Sequence, residues 1–257
     1  MKEFGKRLFS GVIGIILLIL VVNKGSFYLS TAIFIISVIG LREFYKALTN
    51  LEIRPNELIG FLGTTALFLA NLSPGNSIDL VITFIIITLL VSTLFKNDIK
   101  LEDISATLLG ILYVPFLIFH VSYLDGTKYI WLVFIIAFGT DTFAYIAGNL
   151  FGKRKLCPTI SPKKTIEGSI GGVIGSLFLT IIFAIAMELN PLWKLMILSI
   201  LTSIVSQLGD LVASKIKRMA KIKDYGFIMP GHGGILDRFD SIILAAPVIY
   251  YYVKYFL

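Results

Sequence analysis

Long apolar runs recur from one end of the chain to the other, and they limit the possible folds more than any other feature. Of the 257 residues, 56% are hydrophobic and 15% are charged, whereas about a quarter of the residues of soluble domains are charged. The mean hydropathy is +0.88, and several runs approach the length needed to cross a bilayer. The sequence therefore predicts an all-α polytopic membrane protein with short polar loops.

The apolar runs predict about nine transmembrane helices within one integral membrane domain, residues 1–257. Residues 1–127 are interpreted as a helical scaffold half. Residues 128–257 are interpreted as a catalytic half with cytoplasmic loops at 151–168 and 214–238. The helices are expected at 8–22, 27–41, 58–72, 78–95, 104–123, 129–150, 169–188, 192–213 and 239–254.

The basic residues predict the orientation of these helices. With this helix count, 19 of the 23 lysines and arginines fall at the N-terminus or in the loops after helices 2, 4, 6 and 8. Short loops rich in Lys and Arg stay in the cytoplasm. We therefore expect a cytoplasmic N-terminus, an external C-terminus, and both strongly basic loops in the cytoplasm. Arg42 and Glu43, at the end of the second helix, are expected to anchor it at the interface.

The stretch Ser214–Asp240 is the most densely charged part of the chain, and apolar runs flank it on both sides. Its Pro230-Gly231-His232-Gly233-Gly234 sequence predicts a turn whose backbone N–H groups can converge on an anion. Asp237 and Asp240 follow, three residues apart, at the start of the last helix. Ordinary charge compensation at a helix N-terminus accounts for one of these aspartates, but not for two beside so many cations.

Three further features in the second half of the chain also place carboxylates or cations where an anionic ligand could bind. Asp141 lies within an apolar helix, where a carboxylate is costly unless it faces protein or water. In the loop Ser161-Pro162-Lys163-Lys164-Thr165, a helix start beside two lysines suits a phosphate, and a plain interfacial anchor explains the lysines equally well. On the eighth helix one face is expected to carry Ser203, Ser206, Asp210, Ser214, Lys217 and Lys221.

Carboxylates, hydroxyls and cations near one membrane face are the groups that a magnesium-dependent phosphoryl or nucleotidyl transfer needs. Mg²⁺ takes one or two carboxylates together with phosphate oxygens and water, and cations hold the remaining phosphate charge. A zinc site is not expected, because the chain has one cysteine, Cys157, and two separated histidines.

The stretch S-K-I-K-R-M-A-K-I-K-D-Y-G-F-I-M-P-G-H-G-G-I-L-D-R-F-D resembles the long signature of the phosphatidate cytidylyltransferase family, also called CDP-diacylglycerol synthases. The matching positions are Ser214, Lys217, Arg218, Lys223, Asp224, Gly226, Pro230 to Gly234, Asp237, Arg238 and Asp240. Upstream, D-T-F-A-Y-x-x-G-x-x-F-G-K, S-P-K-K-T-x-E-G and Gly209-Asp210 also match. The resemblance covers the second half in detail and the first half only as hydrophobic helices.

The resemblance implies the reaction CTP + phosphatidate → CDP-diacylglycerol + diphosphate, with Mg²⁺ as cofactor and the number of cations open. In the family the counterparts of Asp210 and Asp237 are metal-site carboxylates. The catalytic residues are then expected to be Asp210, Asp237, Lys217, Arg218 and Arg238. The substrate-binding residues are expected to be Asp141, Lys163, Lys164, Thr165, Ser214, Lys223, Asp224, Gly231, His232, Gly233, Gly234 and Asp240.

The expected partners are CTP, phosphatidic acid and the lipid bilayer, with no nucleic acid, and the family implies a homodimer. We expect a multi-pass protein of the cell membrane whose active site faces the cytoplasm. The alternative is an ion- or proton-coupled transporter in which Asp141 and Asp210 are the ion sites. Transporters commonly contain paired repeats with broken helices, and this sequence shows neither feature. A CDP-alcohol phosphotransferase is a weaker alternative, because its D-G-x2-A-R…G-x3-D-x3-D motif is absent.

Overall fold

The computed structural model describes residues 2–73, 77–95, 100–228 and 233–257, with side chains from residue 11 onward. Within these ranges the chain forms nine α-helices and one two-stranded antiparallel sheet, and each predicted apolar run contains all or most of one α-helix or, for 104–123, a succession of helical segments. The elements are α1 Lys2–Lys24, α2 Ser26–Thr49, α3 Glu57–Leu72, α4 Ile78–Ser92, α5 Leu101–Ile111, α6 Ile130–Phe151, β1 Lys155–Cys157, β2 Ser161–Thr165, α7 Ile166–Ala186, α8 Leu192–Met219 and α9 Leu236–Phe256.

Five helical segments are long and apolar enough to cross a membrane, among the residues that the structure describes. They are Ser26–Thr49, Leu101–Leu124, Ile130–Phe151, Ile166–Ala186 and Leu192–Met219. The segment Leu101–Leu124 is not one regular helix. A π-helical turn, Leu112–Phe116, follows α5 around Pro115, and a 3-10 segment, Phe119–Leu124, completes it. Pro115 has no N–H to donate, so the helical hydrogen-bond ladder is rearranged there.

The side chains of helix α7 are distributed as in a helix that is surrounded by lipid. Its buried positions include Gly168, Gly172, Ser176 and Thr180, whereas the large apolar side chains point outward, with Ile174 61% exposed. In a soluble protein the apolar side chains would face the core. Small residues inside and large apolar residues outside are the arrangement that close helix packing in a membrane requires.

The chain divides into two compact units. The first unit contains Met1–Asp125 and Met219–Phe239. In its core the buried ring of Tyr45 lies between Gly60 and Gly110, and the Tyr45 hydroxyl donates a 2.7 Å hydrogen bond to the carbonyl of Thr107. The described residues of the charged stretch between Met219 and Phe239 therefore belong to the same compact unit as the helices of the N-terminal half.

The second unit contains Gly126–Arg218 and Asp240–Leu257. Its helices α6 and α7 pack backbone against backbone. A Cβ atom added to Gly172 would lie 2.8 Å from the carbonyl oxygen of Thr140, and one added to Gly171 would overlap Ala147. The glycines of α7 thus allow the two helices to pack closely, because they carry no side chain.

The loop between α6 and α7 differs from the prediction. Strands β1 and β2 pair there, with Lys155 opposite Thr165. Pro162 was expected in the first turn of a helix, but it lies in β2, and α7 begins only at Ile166. A two-stranded sheet tolerates a proline whose N–H is not needed for pairing. Thr165 is the better N-cap, since its hydroxyl accepts a 3.1 Å hydrogen bond from Gly168 N–H.

Helix α8 is longer than its apolar run and ends at Met219. Lys221 lies beyond that end, with a φ of 56° in the left-handed region. Its predicted place on the polar face of the eighth helix was therefore wrong. The other five residues of that face, from Ser203 to Lys217, lie within α8. The sequence Pro74-Gly75-Asn76 is typical of a turn, and it lies outside the described residues.

Candidate active site

In the second unit, helices α6 and α9 bring oxygen atoms together around Ser241. The Ser241 hydroxyl lies 3.0 Å from Asp141 Oδ2 of α6 and 3.2 Å from Asp240 Oδ1 of α9. The Ser241 N–H donates a further 2.8 Å hydrogen bond to Asp240 Oδ1. Asp141, which lies deep in an apolar run and begins the D-T-F-A-Y stretch, is thus linked through one hydroxyl to a residue of the long signature.

Asp210 of α8 meets a cation delivered by the sheet. Lys164 Nζ of β2 lies 2.5 Å from Asp210 Oδ2, and both side chains are half-buried. The Ser214 hydroxyl, one turn further along α8, donates a 3.2 Å hydrogen bond to Asp210 Oδ1. The structure therefore brings together the S-P-K-K-T stretch and the aspartate of the Gly-Asp pair, 46 residues apart in the sequence.

The glycine of the Gly-Asp pair has a packing role. A Cβ atom on Gly209 would lie 2.6 Å from the carbonyl oxygen of Asp240. Glycine therefore allows α8 and α9 to approach closely where each helix carries a site aspartate. Toward the middle of α8, Ser203 and Ser206 are buried, and the Thr140 hydroxyl donates a 2.8 Å hydrogen bond to Ser203 Oγ.

The remaining residues of the S-P-K-K-T-x-E-G stretch hold the sheet in place. The carboxylate of Glu167 accepts hydrogen bonds from the backbone N–H groups of Lys153 (3.1 Å) and Arg154 (3.2 Å). Gly168 lies against the carbonyl of Ala144, where a Cβ atom would approach to 2.8 Å. These contacts fix the short sheet on the ends of α6 and α7, and so position Lys164.

In the first unit, Asp237 organises the segment before α9. Its Oδ2 accepts hydrogen bonds from the backbone N–H groups of Tyr225 (2.8 Å) and Gly234 (2.9 Å), and the residue is buried. Gly233 has a φ of 91°, and a Cβ atom there would lie 2.9 Å from Asp237 Oδ2. Glycine is therefore needed at this position both for its backbone conformation and for the room it leaves.

Glu43 is a residue of this site that the sequence analysis missed. It is 7% exposed, and its two carboxylate oxygens accept hydrogen bonds from Ile235 N–H (3.1 Å) and Leu236 N–H (2.8 Å). A Cβ atom on Gly226 would overlap this carboxylate, and one on Gly234 would lie 2.5 Å from it. The prediction that Glu43 anchors a helix at the interface was wrong. The available signal was a carboxylate among large apolar side chains.

The other predicted residues have varied surroundings. Lys217 is buried, Asp224 is half-buried, and Lys163, Lys223 and Arg238 are exposed. Arg218 is also exposed, and its Nε donates a 3.4 Å hydrogen bond to the carbonyl of Ile160. Gly231 and His232 lie outside the described residues, as does Pro230.

The donor chemistry of the second unit fits a hard divalent cation. Among the described residues, no three His, Cys, Asp or Glu side chains form a group that holds a metal by itself. Mg²⁺ does not need such a group, because it takes one or two carboxylates and completes its shell with phosphate oxygens and water. Asp210, hydrogen-bonded to Ser214 and paired with Lys164, offers this kind of oxygen donor.

Comparison with known proteins finds similarity to one family of enzymes. A family model described as the cytidylyltransferase family matches residues 5–256. The phosphatidate cytidylyltransferase of Bacillus subtilis (strain 168) is 31% identical over 272 residues, which cover 100% of both chains. That of Staphylococcus haemolyticus is 37% identical over 254 residues, covering 95% of this chain and 96% of the relative. That of Staphylococcus aureus (strain COL) is 34% identical over 251 residues, with the same coverage.

Proposed function

Because the chain belongs to the cytidylyltransferase family, we propose that it transfers the cytidylyl group of CTP to phosphatidic acid, giving CDP-diacylglycerol and diphosphate in phospholipid biosynthesis. Similar proteins carry this activity in their names at 31–37% identity over nearly their whole length. The observation that carries the proposal is the contact of Lys164 with Asp210 in the C-terminal half of α8. A cation and a metal-type carboxylate in contact suit the joining of two phosphates.

The reaction needs charge neutralisation more than proton transfer. An oxygen of the lipid phosphate, already anionic near neutral pH, attacks the α-phosphorus of CTP, and the bond from that phosphorus to the bridging oxygen of the diphosphate breaks. No protein base has to remove a proton. The barrier is the repulsion between two anions, which fixed cations lower. We assign this role to Lys163, Lys164, Lys217, Arg218, Lys223 and Arg238.

We propose Mg²⁺ as the cofactor, with Asp210 and Asp237 as its carboxylates, which is the assignment that the family resemblance implies. When bound, the ion would polarise phosphate oxygens and offset their charge. Asp210 also holds Lys164 and Ser214, and Asp237 also holds the backbone of Tyr225 and Gly234. Each aspartate therefore has a positioning role in its own unit besides the proposed ligand role.

We further propose a multi-pass protein of the cell membrane with about nine spans, a cytoplasmic N-terminus, an external C-terminus and a cytoplasmic active site. The distribution of 19 of the 23 basic residues supports this orientation. A homodimer is proposed on the family resemblance alone. No observation favours the transporter alternative, in which Asp141 and Asp210 are ion sites. Asp141 contacts Ser241, and Asp210 is paired with Lys164.

The experiment uses the full chain, purified in detergent and supplied with CTP, phosphatidic acid and Mg²⁺, and follows diphosphate release and CDP-diacylglycerol formation. Asp210→Asn removes a charge at nearly constant shape, and we expect kcat to fall by about 10²–10³, the usual loss when one electrostatic group of a site is removed. Asp79→Asn, in the first turn of α4, is the matched control and should retain activity.

Several outcomes would contradict the assignment. If wild type releases no diphosphate under these conditions, the reaction is wrong. If Asp210→Asn and Asp79→Asn are equally active, Asp210 has no catalytic role. Activity that persists fully in the presence of a chelator would exclude the proposed magnesium dependence.

A further inference from the structure

A cavity of about 680 Å³ lies within the first unit, between the last turns of α2 and the segment that follows α8. Arg42 and Lys46 line it from α2, and Lys223 lines it from the later segment. Its volume is in the range of about 300–1,000 Å³ that ligand sites occupy. The sequence analysis attached no binding role to Arg42 or Lys46.

The charges of this cavity favour an anion. Within the described part of the chain, none of its three cations forms a salt bridge. Two carboxylates, Glu43 and Asp224, also line the cavity. The carboxylate of Glu43 is already held by the N–H groups of Ile235 and Leu236. Arg42 and Lys46 are four residues apart on one helix, so they present two positive groups on the same face.

The apolar lining and the position of the cavity favour a lipid. Ile39, Ile222, Phe227 and Ile228 line it beside the cations, and Phe227 is 88% exposed. The helix that carries Arg42 and Lys46 is a candidate membrane span, and both residues lie near its C-terminal end. Basic side chains at the end of a span lie at the level of the lipid headgroups. The basic part of the lining suits an anionic lipid headgroup, and the apolar part suits the first carbons of the acyl chains of that lipid.

We propose that this cavity binds the phosphate monoester headgroup of phosphatidic acid, with Arg42, Lys46 and Lys223 holding the phosphate and the apolar residues holding the glycerol and the first acyl carbons. The choice of lipid depends on the proposed function. Arg42 and Lys46 are then substrate-specificity residues contributed by the half of the chain that was interpreted as a scaffold.

The first test measures binding without turnover. The detergent-solubilised full chain is analysed by native mass spectrometry with phosphatidic acid, with phosphatidylcholine of the same acyl chains, and with phosphatidic acid plus glycerol 3-phosphate. We expect retention of phosphatidic acid over phosphatidylcholine, weakened about tenfold in Arg42→Gln/Lys46→Gln. Lys215→Gln, which removes an exposed lysine of α8 outside this cavity, should bind like wild type.

The second test separates the two substrates kinetically. In Arg42→Gln/Lys46→Gln the KM for phosphatidic acid should rise about tenfold while the KM for CTP changes less than about twofold. A rise in the KM for CTP alone would assign the cavity to the nucleotide and contradict the proposal. Unchanged retention and unchanged KM values would also contradict it. Displacement of the lipid by an equal concentration of glycerol 3-phosphate would show that phosphate alone is recognised, and would contradict the role given to the apolar lining.

Two further comparisons separate an effect on binding from an effect on folding, and the cavity assignment from the proposed reaction. Arg42→Lys and Lys46→Arg keep the charges, so both should bind phosphatidic acid nearly as wild type does. If they lose binding together with the glutamine variant, the effect is on folding and the cavity assignment fails. If wild type binds phosphatidic acid through Arg42 and Lys46 but releases no diphosphate with CTP, the cavity is correct and the proposed reaction is wrong.

Discussion

At the scale of single residues, Glu43 shows how a buried carboxylate can shape a site without facing solvent. It accepts two backbone hydrogen bonds at the start of α9 and lies against Gly226 and Gly234. In Glu43→Gln the amide supplies one acceptor oxygen and no charge, so one buried N–H loses its partner. We expect a loss of about 1–3 kcal/mol in the free energy of unfolding and a lower kcat, measured by thermal unfolding in detergent and by diphosphate release.

Glu102→Gln is the control for this prediction. Glu102 is exposed in the first turn of α5, so its loss should cost less than about 1 kcal/mol. If the two variants were equally stable and active, the hydrogen bonds of Glu43 would be of no consequence. The sequence alone could not reveal this role, because Glu43 and Leu236 are 193 residues apart. A local sequence pattern cannot indicate a contact between two residues that are so far apart in the chain.

At the scale of the helices, the contact of α8 with α9 depends on Gly209. In Gly209→Ala the new methyl group would lie 2.6 Å from the carbonyl oxygen of Asp240, so the two helices must move apart. Overpacking of this kind costs about 1–3 kcal/mol, and the shift also displaces Asp210. We expect a lower melting temperature and a loss of activity, measured by thermal unfolding and diphosphate release.

Gly14→Ala is the matched control, since no atom lies within 4 Å of a Cβ atom placed there. That variant should keep both the stability and the activity of wild type. A fully active Gly209→Ala would mean that the site does not depend on the approach of α8 to α9.

The helices themselves were largely predictable, and the short sheet was not. Apolar runs located all nine helices that the structure describes, because the length and hydropathy of a run are local properties. Strands β1 and β2 are three and five residues long and contain Pro162 and three lysines. They lack the alternation that marks a strand, and the docking of Glu167 against Lys153 and Arg154 stabilises them instead. Asp210 was identified from its place on the polar face of the eighth helix and from the family resemblance, but its contact with Lys164 required the fold.

At the scale of the whole molecule, the proposed orientation can be tested by labelling. Cys157 is the one native cysteine, so Cys157→Ser provides a background without thiols. In that background we expect Lys221→Cys to react with a membrane-impermeant maleimide only when the cytoplasmic face is accessible. Lys24→Cys, at the C-terminal end of α1, should react only from outside.

Reaction of both cysteines from one side would overturn the predicted helix count. Reaction of each from the side opposite to its prediction would keep the count and invert the orientation. Both results are readable in intact cells and in inverted vesicles, so neither depends on catalytic activity.

The contact of Lys164 with Asp210 has a consequence for how an anionic substrate enters largely apolar surroundings. An unbalanced charge beside lipid is costly, yet the proposed reaction needs a lysine ready for phosphate and a carboxylate ready for a metal. Each group serves as the counter-ion of the other until the ligands come. In the proposed reaction Lys164 would pass from Asp210 to a phosphate oxygen, and Asp210 would pass from Lys164 to the divalent cation. Neither side chain would then be left without an opposite charge.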